Sequence, residues 1–399
     1  MAELSRKKKF CFSLFATLFF YLIFELVIST FLYAKNLFSP PVDLWFFENS
    51  GKTVQFDPIR GYKLTSLPSR FAKVSFGKVE YVGTFRGNSQ GFPDRDDFFP
   101  PHGDSKKTRI AVFGDSFSAA QYLQKNWLDQ VEDAARQKSI PLELLNFSVD
   151  GAGLANWWSI LTRLVQPEHY QIDGILFAVY QGDLRRTFSI AEHRGYQHHM
   201  FARVPSWDPN QWPKTLDQAR LYLKQRGGYI LSSENFEKAL QGKWRPDTKP
   251  YWRPFIATES GILAKETFVI VKKWIKKWFH ISTPSFSSFE PERRELIEQI
   301  SRFSETNNLP VFVVRIPSQQ ELLEKSPPPD DVVHFAKMLN ANLIDGSEAF
   351  VGLDKKEIQA QFFKYDGHWN QSGSDRFAAF IFRIFNTSAC WDQSLGPRR

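Results

Sequence analysis

From Arg109 onward the chain alternates unbroken apolar runs with stretches of helical spacing, and few folds accept that pattern. The runs are RIAVFG (Arg109–Gly114), LELLNFSV (Leu142–Val149), GILFAVYQ (Gly174–Gln181) and LPVFVVRIP (Leu309–Pro317). Apolar residues at helical intervals predict helices over Ala119–Lys138, Leu154–Val165, Glu292–Asn308 and Asp330–Leu339. A strand apolar on both sides must be buried on both faces, so the alternation predicts a parallel sheet covered by helices, an α/β fold. Ligands of such sheets bind beyond the carboxyl ends of the strands. Gly114-Asp115-Ser116 stands at the end of the first run.

Composition narrows the class. With 42% hydrophobic and 24% charged residues the 399-residue chain is a folded protein, long enough for one large domain or two. Its 39 Phe, 12 Trp and 12 Tyr are assigned first to core packing. Two cysteines, Cys11 and Cys390, exclude a disulfide framework. The formal net charge of +8 permits attraction to an anionic lipid or polymer, but the basic residues are scattered and no nucleic-acid module signature is present, so no nucleic-acid partner is expected.

At the N-terminus Arg6, Lys7, Lys8 and Lys9 precede an apolar run, Phe10–Ala34, which Lys35 closes. A run of ~20 apolar residues suffices to cross a bilayer and exceeds the ~7–15 of a cleaved signal peptide. Residues 1–35 are therefore expected to be a retained single-pass inner-membrane anchor with Glu25 inside it, the basic flank cytoplasmic and the rest on the periplasmic side. Residues 36–107 read as an extension of strands and loops, including a strand over Lys78–Arg86. Residues 108–390 form the α/β domain, interrupted at about 187–285 by an insertion expected to wall the substrate site. Within it, Val271–Phe279 reads as a helix burying Trp274 and Trp278, and His193, His198 and His199 lack the Cys or carboxylate companions of a metal site.

Ser116 is open to two readings, a nucleophile or the cap of the next helix. A hydroxyl is a weak nucleophile until a base takes its proton, and that base needs a carboxylate to hold its tautomer. Asp366 and His368, two apart in KYDGHWNQSG, supply both roles. Ser372 or Ser374 would cap the closing helix. Gly151, in LNFSVDGAG, is a turn glycine or a backbone N–H donor to an oxyanion. Asp115 reads as a turn and capping residue; Asn146 and Trp369 read as structural.

Gly114-Asp115-Ser116-Phe117-Ser118, then Asn146 to Gly151, then Asp366-Gly367-His368-Trp369-Asn370 with Gly373, resemble the blocks of the GDSL/SGNH hydrolase superfamily, in the family's order. FDPIRGYKL and FRGNSQGFPD resemble the segment before the catalytic domain in membrane-anchored bacterial members. The resemblance spans about 55–185 and 290–385. It implies a flavodoxin-like three-layer α/β/α sandwich acting without a cofactor on esters of lipids or glycans. Ser116 would be the nucleophile, His368 the base and Asp366 its orienting carboxylate; the N–H groups of Ser116 and Gly151 would hold the oxyanion. One block departs: in VYQGDLRR, Gly182 stands where the family has an oxyanion-donating Asn, leaving Gln181, or Arg185 or Arg186, to replace it. The expected function is an esterase acting on an envelope glycan or lipid. Alternatives are an O-acetyltransferase modifying an exported polysaccharide with a membrane donor protein, and a catalytically weakened scaffold among envelope partner proteins.

Overall fold

A computed structural model describes residues 12–24, 43–48, 53–75, 78–98, 107–194, 198–225, 229–244 and 289–387. The chain divides into two compact units. The described part of the smaller is essentially the helix 12–24, whose apolar side chains, Phe12, Phe15 and Phe20 among them, are exposed. Among the described residues no helix is long and apolar enough to cross a membrane. The run Phe10–Ala34 continues past both ends of this helix into residues outside the described ones, where Glu25, both cysteines and Val271–Phe279 also lie.

The strands of the larger unit, in chain order, are β1 (Asp43–Glu48), β2 (Val54–Asp57), β3 (Gly61–Leu64), β4 (Ser69–Ser75), β5 (Lys78–Phe85), β6 (Thr108–Phe113), β7 (Leu142–Asn146), β8 (Gly174–Tyr180), β9 (Ser189–Arg194), β10 (His198–Arg203), β11 (Lys224–Gln225), β12 (Tyr229–Leu231), β13 (Val311–Ile316) and β14 (Asn342–Asp345). Five of them form an all-parallel central sheet in the order β7-β6-β8-β13-β14. Counted along the chain this is the flavodoxin-like order. Alternate side chains of β6 point to opposite faces. Ala111 and Phe113 pack under the helices Leu154–Arg163, Pro291–Thr306 and Asp330–Met338; Ile110 and Val112 pack under Trp127–Gln137 and Gln371–Asn386. The result is a three-layer α/β/α arrangement.

The long helix expected over Ala119–Lys138 is broken. Ser116–Ala119 forms one turn, ended by Ala120 in the left-handed region at φ 42°. The chain re-enters helix at Trp127, where the Asn126 side chain accepts from the Asp129 N–H at 2.8 Å. The break brings Gln121 and Tyr122 to the carboxyl edge of the sheet.

A smaller sheet, β12-β1-β4-β5, joins the N-terminal extension to the insertion, with β1 and β12 parallel. Its strands keep a period of two: Tyr81, Gly83 and Phe85 of β5 are buried while Val82 and Thr84 are exposed. On β4, Ala72 and Val74 face a satellite core with Phe46, Leu231 and Phe236, whereas Phe71 joins the main core. The β2–β3 hairpin is closed by Asp57, whose Oδ1 accepts from the N–H groups of Ile59 and Arg60 at 2.9 and 2.8 Å. Gly61 follows at φ +87°, and a Cβ there would sit 1.8 Å from the Ser189 carbonyl oxygen. Gly61→Ala is therefore expected to cost at least the ~1–3 kcal/mol of a strained backbone, read as a lower thermal unfolding midpoint.

Candidate active site

The first turn after β6 is capped by the residue before Ser116. Asp115 is the N-cap: its Oδ1 accepts from the Phe117 N–H at 3.0 Å. Its Oδ2 accepts from Arg186 Nη1 at 2.9 Å, and the same guanidinium pairs with Asp183 at 2.6 Å and donates to the Ala152 carbonyl at 2.8 Å. Ser116 is thereby released from capping, and its Oγ lies 2.7 Å from His368 Nε2. The imidazole is held between Phe117 and Tyr122, with ring centroids 4.8 and 4.7 Å away. Its Nδ1 is hydrogen-bonded to Asp366 Oδ1.

The other oxygen of Asp366 is also taken. Oδ2 accepts from Lys73 Nζ at 2.9 Å and from the Tyr81 hydroxyl at 2.8 Å, all three residues being buried. Glu80 holds the loop from outside, its Oε1 accepting from the N–H groups of Tyr365 and Asp366 at 2.6 and 3.0 Å. Sequence reasoning missed Lys73, Tyr81 and Glu80. The available signal was a lysine two residues from Phe71, on the inward face of a strand, where an unpaired ammonium is costly.

The structure brings Ser116, His368 and Asp366 together and leaves the proposed replacements for the missing Asn elsewhere. Arg185 pairs with Asp331 at 3.0 Å, Arg186 is committed beneath Asp115, and Gln181 is exposed at the end of β8 and does not line the cavity at Ser116. Gly151 adopts φ +71°, with the Phe201 ring 3.2 Å from where a Cβ would sit. Its loop is pinned by Tyr62, whose hydroxyl donates to the Asp150 carbonyl at 2.8 Å, and by Ser189, whose hydroxyl donates to that of Gly151 at 2.9 Å. The closing helix is capped by Asn370, which accepts from the Gly373 N–H at 3.2 Å; Ser372 donates to Gln361 and Ser374 accepts from Gln130. Trp369 is fully buried, and Asn146 donates to the carbonyls of Pro93 and Ser118.

A cavity of about 700 Å³, counting its open mouth, rises above Ser116 and His368. Its walls are Trp45, Phe47, Phe71, Tyr81, Phe85 and Tyr122. Apart from Tyr122 these wall residues come from β1, β4 and β5, and no described residue of the insertion lines the cavity. The insertion contributes from behind, through β12 beside β1 and through Ser189 and Phe201 at the Gly151 loop.

No protein-family model matches the chain, and no curated protein matches it. Among solved structures it is similar to a lipase/acylhydrolase from Enterococcus faecalis, at 11% identity and a TM-score of 0.33, covering 70% of this chain and 95% of that one. A GDSL-like lipase from Bacteroides thetaiotaomicron is similar at 9% identity and a TM-score of 0.33, covering 72% and 93%. A psychrotrophic esterase from Pseudoalteromonas sp. is similar at 13% identity and a TM-score of 0.29, covering 70% and 100%.

Electrostatics couple the pair at the centre. Burial alone raises the Asp366 pKa, but the hydrogen bond and charge of His368, then those of Lys73, outweigh it and hold the carboxyl well below its usual range. Burial likewise lowers that of His368, and Asp366, followed by Asp115 and Asp150, more than reverses it, so the imidazole pKa is raised above 6.5. A base works in its neutral form, and a raised pKa keeps the proton on to higher pH. Activity that depends on His368 should therefore rise with pH along a limb centred above 6.5. Lys73→Met leaves the Asp366 charge acting undiminished on His368 and is expected to move that limb up by about one unit. The measurement is the pH profile of kcat/KM; an unmoved limb would reduce Lys73 to a packing role.

Proposed function

We propose that the chain is a serine esterase of the SGNH type, anchored in the inner membrane with its α/β unit on the periplasmic side, that cleaves an ester of a cell-envelope glycan or lipid. The observation that carries the chemistry is the continuous chain of hydrogen bonds from Ser116 Oγ through His368 to Asp366, at 2.7 Å on the nucleophile side. Support for the anchor lies in the cationic Arg6–Lys9 ahead of Phe10–Ala34.

Ser116 Oγ attacks the ester carbonyl as its proton passes to His368 Nε2. Asp366 holds the Nδ1–H tautomer and stabilises the imidazolium, and Lys73 and Tyr81 fix the carboxylate in turn. The backbone N–H groups of Ser116 and Gly151 take the oxyanion. Collapse of the intermediate breaks the carbon–oxygen bond to the alcohol, which leaves with the proton from Nε2. Water then repeats the sequence in reverse and frees Ser116. With Gly182 in place of a side-chain donor the site works on backbone donors, and the loss of one donor elsewhere costs ~10²–10³ in rate. A slow esterase is the expectation.

The test uses the full chain in detergent, a serine-directed fluorophosphonate and p-nitrophenyl esters. Ser116→Ala is expected to abolish labelling, and Ser116→Ala or His368→Ala to lower kcat by ~10⁴–10⁶-fold. Asp366→Asn is expected to lose ~10⁴-fold. A folded wild-type protein that neither turns over nor labels would sink the proposal. Removing residues 1–35 is expected to shift the protein from the membrane pellet to the supernatant; retention in the pellet would overturn the anchor.

A further inference from the structure

We propose that the cavity above Ser116 is an acyl pocket built by the N-terminal strands, that it takes an apolar acyl group larger than acetyl, and that the Tyr122 hydroxyl donates to an oxygen of the bound ester. This deepens the esterase reading and rests on it.

The first observation is the chemistry of the walls. Phe71 and Phe85 stack with ring centroids 4.4 Å apart, and Trp45 continues the layer 5.9 Å from Phe71. Among the described residues lining the cavity, Asp150 and His368 are the only acidic or basic ones. A sugar ring could stack on such a wall, yet along Phe47, Phe71 and Phe85 its hydroxyls would find no side-chain partner. An alkyl or aryl group asks for none. The single methyl of an acetyl group would leave nearly all of the wall untouched.

The second observation is independent. Tyr122 is 7% exposed and lines the cavity, and its hydroxyl has no hydrogen-bond partner among the described residues. Buried polar groups in native proteins are almost always paired. Burial, and then the charges of Asp115 and Asp366, hold its proton on, so it is a donor. Its ring packs 4.7 Å from that of His368.

Which half of the ester occupies the cavity follows from the order of bond changes. When the carbon–oxygen bond to the alcohol breaks, the alcohol departs with the His368 proton and water must take its place. The acyl group stays bonded to Ser116 Oγ until that water adds and the Oγ–C bond breaks, its proton returning to Oγ. The enclosed apolar side suits the half that remains.

The experiment measures kcat/KM of the full chain in detergent on p-nitrophenyl acetate, butyrate and octanoate, and on ethyl and octyl acetate. A buried methylene is worth about fourfold, so octanoate should exceed acetate by well over tenfold while octyl acetate gains little over ethyl acetate. The octanoate-to-acetate ratio, which does not depend on the fraction of protein folded, should collapse in Ala119→Phe, which fills the cavity. If that variant does not fold, Phe85→Ala should move the optimum to longer chains. Tyr122→Phe should lower kcat/KM about tenfold at every chain length. Ser116-dependent turnover with a ratio near one, a ratio unmoved by either wall variant, or a gain confined to octyl acetate would overturn the acyl pocket and leave the esterase intact. An unchanged Tyr122→Phe would overturn the donor role. Absence of Ser116-dependent turnover or fluorophosphonate labelling would remove the reading beneath both.

Discussion

A buried carboxylate is the constraint on which the rest turns. Asp366 is withdrawn from water, and removing a charge from water costs several kcal/mol unless its partners are well placed. Three partners share it: His368 on one oxygen, Lys73 and Tyr81 on the other. None can be moved without stranding another. The loop carrying Asp366 and His368 is therefore registered against β4 and β5, and that register aims Nε2 at Ser116. The small sheet thus positions the Ser116–His368–Asp366 group as well as covering it.

The central sheet was legible because its physics is local. Strands buried on both faces read as continuous apolar runs, and the runs at Arg109, Leu142, Gly174 and Leu309 each became a strand within a few residues of the expected bounds. The helix break at Ala120 was hidden, because apolar spacing continues through Ala119–Lys138 and only Asn126, a capping residue inside that span, marked the restart. Lys73 and Asp366 are 293 positions apart, and no local pattern announces such a pair. Ser116, His368 and Asp366 were legible as residue types in order, but their meeting depends on how the sheet brings distant loops to one edge.

The wall of the cavity carries a related lesson. A long insertion in an α/β fold commonly gathers at the active edge, and this one does so indirectly. It braces the Gly151 loop through Ser189 and Phe201 and extends the small sheet through β12. Much of the aromatic lining comes from a segment upstream of the α/β repeat, where Trp45, Phe47, Phe71, Tyr81 and Phe85 of short strands face the cavity.

The parallel pairing of β1 with β12 has a consequence for how the chain is made. Residue Phe46 meets Tyr229, and no hairpin can bring them together early. Until the ribosome has delivered the segment around Tyr229, β1 has one unpaired edge, carrying Trp45, Phe46 and Phe47. Such an edge is a template for unwanted strand addition, and pairings of large sequence separation form slowly. The nascent chain therefore passes through a stage in which its most aromatic strand waits, half-paired, for a partner not yet synthesised.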